Sequence, residues 1–323
     1  MAKAIVLREY GGPENLRLET VETGTADDAS ILIRNVAIGV NFIDTYFRRG
    51  IYPTTLPAVI GDQGVGIVEE CGSAVTHVNV GDRVAYASIF GAYIDRRWVD
   101  SSQVVRVPDE VSSEVAAASL TRGLTAEYLL FRLHSIKPSD TIIVHAAAGG
   151  TGSIICQWAQ HMGATVIGTV GSEAKFEAAK QAGCDFVLLH SQDDFVEQIR
   201  DITNDTLVDL VYDSVGKDTF NKSLACIKPR GLMVAFGNAS GKPDPMDVLA
   251  LARCGSLFLT RPILTHYVST QEELELSAAR YFAALADGIV TPHALTAYSL
   301  NDASAAHEHL EDRSKLSIPI LVP

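Results

Sequence analysis

The chain has 323 residues, 47% of them hydrophobic and 20% charged, which supports a substantial core and two domains. Its formal net charge of −13 at pH 7, with no Lys/Arg cluster to offset it, argues against a nucleic-acid surface. No uninterrupted apolar run is long enough to span a bilayer, and residues 1–9 carry no secretion-type apolar stretch, so the expected setting is the cytoplasm.

Residues 1–124 read as mostly β. Candidate strands at 2–7, 16–20, 31–40, 65–71 and 83–87 are separated by Gly, Pro and Asp/Ser turn signals. Residues 41–50 read as one or two helical turns, followed by a Pro-bearing loop to Pro57. Gly61, Gly64, Gly66, Gly72 and Gly81 mark tight turns and bulges. From Glu114 the period changes, and 116–133 reads as helical. Strands are then expected at 141–145, 165–170, 186–189, 210–213, 232–236 and 257–260. Helices at 151–162, 173–182, 194–203, 218–225 and 246–253 fill the intervals. Six strands alternating with helices describe a doubly wound parallel sheet, which binds its ligand outside the strand C-termini. Beyond Pro262 come a long helix at 270–287, an extended piece at 296–300, a helix at 302–312 and a strand at 318–322. With the sheet complete by Arg261, this tail returns to the first domain.

The stretch Val144-His145-Ala146-Ala147-Ala148-Gly149-Gly150-Thr151-Gly152 joins the first strand of the alternating half to its helix. Ala147, Gly149 and Gly152 occupy the small positions of a G-x-G-x-x-G pattern, with Ala in place of the first Gly. The middle Gly lets the backbone approach a pyrophosphate, and the last lets helix and strand pack closely. Unpaired N–H groups at the helix start then face the phosphates. Gly149, Gly150, Thr151 and Gly152 are the candidates. An NAD-selective site would carry an acid at the end of the second strand, but here stand the uncharged Gly171 and Ser172, with Lys175 three residues on. That pattern favours a 2′-phosphate, hence NADP. A solvated first-turn lysine is the plainer reading of Lys175, and Glu173 tempers its charge.

Cys71, Cys156, Cys184, Cys226 and Cys254 are scattered singly, so neither a disulfide framework nor a zinc knuckle is suggested. His307 and His309, two apart, point to different sides of a helix and do not make a shared metal site.

Six stretches give the chain a family look over essentially its whole length. They are Gly11-Gly12-Pro13-Glu14, Gly39-Val40-Asn41-Phe42-Ile43-Asp44-Thr45-Tyr46, Val80-Gly81-Asp82-Arg83-Val84, the Ala-Ala-Ala-Gly-Gly turn, Val211-Tyr212-Asp213-Ser214-Val215-Gly216, and Gly255-Ser256-Leu257-Phe258-Leu259-Thr260-Arg261-Pro262. The sequence resembles the zinc-independent quinone oxidoreductases, the zeta-crystallin-like branch of the medium-chain dehydrogenase/reductase superfamily. The resemblance implies an α/β protein: a GroES-like catalytic domain (1–124 and 263–323) and a Rossmann NADPH-binding domain with a doubly wound parallel sheet (125–262). It implies NADPH as cofactor, quinones reduced by one or two electrons, and a homodimer paired through the edge strand at 257–261.

Zinc-bearing relatives have Cys where this chain has Asn41, His where it has Asp62, and a further Cys near residues 118–123. A zinc site needs three protein ligands, and only Asp62 could serve, so no metal is expected. The lobe that binds a second zinc is absent between Ala85 and Asp100. Departures from the family include Gln63, where many relatives have Glu, and His190, where a Tyr holds the adenine-ribose phosphate. His190 could stack, or donate to the phosphate when protonated, so NADPH preference is expected to weaken as pH rises. The C-terminal Arg-x-Thr-x-Gly-Ser pattern becomes Arg313-Ser314-Lys315-Leu316-Ser317, which leaves Arg313 as a cofactor candidate.

Hydride transfer to a quinone asks the protein for proximity and for hydrogen-bond donors to the charge that develops on oxygen. Asn41, which also faces the cofactor, and Gln63 are assigned as amide donors. Tyr46 and Tyr52 are assigned as aromatic walls whose hydroxyls can deliver a proton, the alternative being that they pack beneath the loop. Asp44 is expected to cap its turn rather than act as a base. Backbone near Phe236, Gly237, Asn238, Leu259 and Arg261 should reach the carboxamide, with Tyr128 and Ser240 carried by the resemblance. An enoyl or 2-haloacrylate reductase, acting on an activated alkene, is the enzymatic rival; a carboxylate substrate would need a cation such as Arg48, Arg49 or Arg122. A non-catalytic NADPH-binding crystallin-like protein is the third reading, against which the intact site residues speak.

Overall fold

The computed structural model describes every residue of the chain except Thr25, Asp193 and Arg313. The chain divides into two compact units, one of Met1–Leu124, Tyr267–Gly288 and Pro292–Pro323, the other of Thr125–His266 and Ile289–Thr291.

In the first unit, β1 (Ala2–Leu7) pairs antiparallel with β2 (Leu16–Val21), placing Ile5 opposite Leu18. The ten-residue β3 (Ser30–Gly39) ends where the short helix α1 (Phe42–Arg48) begins. Then follow β4 (Ala58–Val59), β5 (Gln63–Cys71), β6 (Arg83–Ala87), β7 (Arg96–Asp100) and β8 (Val104–Arg106). β4, β7 and β8 have no counterpart in the sequence reading. β7 reads Arg-Arg-Trp-Val-Asp, so three charges hide a strand whose Val99 is buried opposite Ile31. Isoleucines 5, 31, 33 and 38, with Tyr86 and Tyr93, form the core of this unit.

The second unit opens as α2 (Ser113–Glu127) ends and widens into a π-helical stretch over Tyr128–Leu133. Its strands are β9 (Thr141–Val144), β10 (Thr165–Val170), β11 (Phe186–Leu189), β12 (Val208–Asp213), β13 (Ile227–Ala235) and β14 (Phe258–Thr260). Between them run α3 (Gly150–His161), α4 (Phe176–Gln181), α5 (Phe195–Ile202), α6 (Phe220–Ala225) and α7 (Leu249–Arg253). The sheet order β11-β10-β9-β12-β13-β14 is doubly wound, and every pairing is parallel. Central strands such as Thr141–Val144 are near-continuous apolar runs, as a sheet covered on both faces requires. β13 starts five residues before the expected 232, because Lys228-Pro229-Arg230 masks its first pairing, Ile227 beside Val208.

The chain then returns to the first unit through α8 (Gln271–Ala286), β15 (Leu295–Ser299), α9 (Ala303–Glu311) and β16 (Ile318–Val322). β16 pairs with β3, and the seven-stranded sheet runs β15-β16-β3-β5-β6-β8, with β7 also on β3. Among the described residues no helix is long and apolar enough to cross a membrane.

Candidate active site

The turn after β9 has the backbone its glycines require. Ala146 adopts a left-handed conformation (φ +53°), and Gly149 donates its N–H to the Ala146 carbonyl at 2.8 Å. A Cβ on Gly152 would collide with that carbonyl, and one on Gly149 would press on it at 3.0 Å. Only glycine fits at 152, and at 149 any larger residue is tight. The twelve-residue α3 leaves the first-turn N–H groups of Gly150, Thr151 and Gly152 without helical acceptors, and the helix dipole adds partial positive charge there. The cradle suits a pyrophosphate.

At the end of β10, Gly171 and Ser172 are exposed, and Lys175 donates its backbone N–H to the Ser172 carbonyl at 3.1 Å. The half-buried His190 lies against Gly171, where an added Cβ would stand 3.5 Å from Nε2. Asp213, at the end of β12, shapes the next loop: its Oδ1 accepts from the amides of Val215 (2.8 Å) and Gly216 (2.9 Å) and from the Thr219 hydroxyl (2.9 Å). Phe236 and Gly237 both donate to the Asp213 carbonyl, and a Cβ on Gly237 would collide with the Ser214 backbone. The Asn238 carbonyl accepts the Gly241 amide at 3.0 Å. Ser240 joins the two loops, donating to the Val215 carbonyl at 2.9 Å and accepting from the Asp218 amide at 3.0 Å. Its hydroxyl is therefore a loop brace rather than a free contact. Leu259 is partly exposed on β14, and the Arg261 guanidinium donates to the Pro262 carbonyl at 3.1 Å. Tyr128 is buried at the start of the π-helical stretch. Arg313 lies outside the described residues.

In the first unit, Asn41 precedes α1 and donates its backbone N–H to Asp44 Oδ2 at 2.8 Å, so Asp44 caps the turn as expected. The Asn41 side-chain amide nitrogen is buried and has no hydrogen-bond partner among the described residues. Tyr46 and Tyr52 are half-buried and meet edge to face with ring centroids 5.4 Å apart, and Tyr52 meets Phe47 in the same way. They form an aromatic wall after Asn41.

Gln63 is placed differently from the expectation. It is fully buried; its amide nitrogen donates to the Ala117 carbonyl, and its oxygen accepts the Thr121 amide at 2.7 Å. Both ends are engaged within the protein, which corrects the assignment of Gln63 as a donor to substrate. Gly39 is glycine because a Cβ there would collide with this amide.

Beneath the turn lie Asp44, Asp62 and Arg122, all buried. Burial, then the neighbouring Asp62, pushes the Asp44 carboxyl up to about 8. Asp62 is pushed up to about 6 by burial, against hydrogen bonds from Ser88 and Thr121. Arg122 is lowered to about 10 by burial; its guanidinium donates to the carbonyls of Ala118 and Val40. Arg48 and Arg49 both pair with Glu311. Arg48 and Arg122 are buried and fully engaged, whereas Arg49 is half exposed and shares Glu311 with Arg48.

Comparison with known proteins gives these features a context. Residues 27–138 match the alcohol dehydrogenase GroES-like domain, and residues 150–277 match the zinc-binding dehydrogenase family. The quinone oxidoreductase of Salmonella typhimurium is 44% identical, with all of both chains covered. The chain belongs to the quinone oxidoreductases of the medium-chain dehydrogenase/reductase superfamily. The 2-haloacrylate reductase of a Burkholderia species is 41% identical over all of this chain and 99% of its own. The structure of Escherichia coli quinone oxidoreductase complexed with NADPH superimposes with a TM-score of 0.96 at 42% identity, covering both chains in full.

Although one family description is zinc-binding, no group of three His, Cys, Asp or Glu among the described residues could hold a metal ion. Sequence reasoning missed four residues of the first unit that bear on the Asn41 turn: Arg48 as a buried group, Tyr93, His307 and Glu311. They are hydrogen-bonded across 214 to 263 positions of chain, a separation at which no local spacing signals contact.

Proposed function

We propose that this protein is an NADPH-dependent reductase of quinones that works without a metal. What carries the reading is the chemistry around Asn41. The turn presents an amide donor and two tyrosines, while Arg48, Arg49 and Arg122 are engaged with Glu311 and backbone carbonyls. Such a surface suits a neutral, flat carbonyl acceptor, and a substrate carboxylate would find only the half-exposed Arg49, already shared with Glu311, among the arginines described at this turn. That weighs against the 2-haloacrylate alternative.

NADPH, when bound, supplies the hydride. The fit rests on the glycine cradle at 149–152, the uncharged Gly171 and Ser172, Lys175 as partner for a 2′-phosphate with His190 beside it, and the backbone at 236–238 and 259–261 at the strand ends. On the acceptor side, the Asn41 amide donates to the oxygen on which charge develops, Tyr46 and Tyr52 stack and supply the proton, and Gln63 holds α2 in place.

Two further inferences belong to this reading. β14 is an edge of its sheet and carries the exposed Phe258 and Leu259, with exposed Leu249 and Ile263 nearby, so we infer a homodimer formed by pairing this edge across a two-fold axis. Five free cysteines suit a reducing, cytoplasmic setting.

The test is NADPH oxidation by purified, chelator-treated protein offered 1,4-benzoquinone, 9,10-phenanthrenequinone, 2-chloroacrylate or a simple enal, with NADH in parallel. Turnover with quinones, faster with NADPH and insensitive to chelator, is expected. Turnover with the acrylate or enal alone would move the protein to the C=C reductases, and NADPH binding without turnover would make it non-catalytic.

A further inference from the structure

We propose that His307 and Tyr93 are positioning residues, members of a one-way hydrogen-bond chain from Arg48 through His307 and Tyr93 to Asp44 that locks the Asn41 turn. The proposal rests on the reading that Asn41 meets the acceptor. Arg48, Tyr93, His307 and Asp44 are all fully buried in the first unit. Arg48 Nη1 lies 2.9 Å from His307 Nδ1, His307 Nε2 lies 2.9 Å from the Tyr93 hydroxyl, and that hydroxyl donates to Asp44 Oδ2 at 3.0 Å. The far end is anchored by Arg48 Nη2 on Glu311 and Nε on the Gly11 carbonyl.

The direction of the chain follows from what each group can do. A guanidinium only donates, so His307 Nδ1 accepts and its proton sits on Nε2. That proton points at the Tyr93 oxygen, which leaves the Tyr93 proton for Asp44. Asp44 Oδ2 therefore receives two donors, from Tyr93 and from the Asn41 backbone, while Oδ1 is buried with no partner among the described residues. An ionised carboxylate with a bare buried oxygen, next to a second buried acid, is costly. The neutral acid, with its proton on Oδ1, keeps both Oδ2 bonds and the turn.

The groups facing Asp44 are Asp62, which opposes its charge, Arg122, which favours it, and Tyr93, with Arg48 and His307 behind. The rise of Asp44 to about 8 and the fall of His307 to about 3, the latter from burial and the Arg48 charge, agree with a neutral acid and a neutral imidazole at working pH. Ionisation of Asp44 strengthens its two Oδ2 bonds but sets it against Asp62 and leaves a charged, buried Oδ1, and the turn shifts to relieve both.

The experiment compares pH profiles of quinone kcat/KM for wild type, Asp44→Asn, Tyr93→Phe, His307→Phe and His307→Gln. It also follows the infrared band of a protonated buried carboxyl, which needs no turnover. Wild type should lose activity at alkaline pH, and Asp44→Asn should lack that limb and the infrared band. Tyr93→Phe removes a donor that favours the ionised acid, so limb and band should move up by about one pH unit. His307→Phe should move them the same way and lower kcat about tenfold. His307→Gln, which can accept from Arg48 and donate to Tyr93, should restore both. An alkaline limb or infrared band unchanged in Asp44→Asn, or unmoved in Tyr93→Phe, overturns the proposal even if His307→Phe fails to fold. No quinone turnover in wild type overturns the proposed function instead, and the infrared titration still decides the chain.

Discussion

The Thr121 amide donates to the Gln63 side-chain oxygen at 2.7 Å, joining the start of β5 to the middle of α2. The other end of the same side chain holds the Ala117 carbonyl one turn earlier in that helix. Gln63 thus fixes the helix that carries Arg122, and Arg122 supports the backbone at Val40, one residue before Asn41. Replacing Gln63 with Leu removes both of these bonds, and the Thr121 N–H and Ala117 carbonyl, four residues apart in α2, are left to pair with each other. The loss is then that of a buried tie between β5 and α2, and we expect Gln63→Leu to lower the urea midpoint by an amount equivalent to about 1–2 kcal/mol. Gln63→Glu should be destabilised at pH 7, where a carboxylate faces the Ala117 carbonyl, and should recover on acidification as the acid gains a donor. An undiminished midpoint for Gln63→Leu would contradict the brace.

Stability at acid pH should be governed in part by His145. Its Nδ1 lies 2.7 Å from the Thr169 hydroxyl and its Nε2 2.8 Å from the Ser223 hydroxyl, which in turn donates to the Thr219 carbonyl. Burial lowers His145 to about 4. Its folded value lies below the unfolded one, so the stabilisation is complete above about 6.5 and is lost as pH falls toward 4. The full effect is of order 3 kcal/mol. His145→Gln should flatten the dependence of Tm on pH in this window. If its curve runs parallel to that of wild type, acid unfolding begins elsewhere.

Cofactor choice can be tested at the end of β10. Lys175→Ala should weaken NADPH binding about tenfold, the scale of one charge-assisted hydrogen bond, and leave NADH nearly unaffected. Gly152→Ala should weaken both cofactors, because its methyl group strikes the Ala146 carbonyl and shifts the whole phosphate turn. Equal losses of NADPH and NADH affinity in Lys175→Ala would remove Lys175 from the 2′-phosphate site.

How much of this was legible in the sequence depended on how local the signal was. The strands at Ala2–Leu7, Thr165–Val170 and Ile318–Val322 fall where apolar periodicity put them, and the glycine turn announced its own geometry. β7 was hidden because its pairing with β3 tolerates the outward charges of Arg96 and Asp100. Gln63 misled because an amide in a family position reads as a donor, whereas its partners, Ala117 and Thr121, lie more than fifty residues away. His307 was set aside for lack of a metal-like spacing. Its significance comes from Tyr93 and Arg48, which only the fold brings to it.

The edge at β14 carries the last prediction. Phe258 is 64% exposed on a strand whose outer side is unpaired in the sheet order, and its neighbour Leu259 is exposed as well. An open apolar edge of this kind invites pairing unless it is covered. If a second copy covers it, Phe258→Lys places a charge in the seam and removes an aromatic burial worth about 1.5–3 kcal/mol. The dimer should then dissociate at least tenfold more readily in sedimentation equilibrium, with the Tm of the protomer little changed. The phosphate turn should still hold NADPH, since it lies at β9, separated from β14 by the two strands β13 and β12. A wild-type protein that sediments as a monomer at micromolar concentration would show instead that this edge stays open or meets a different partner.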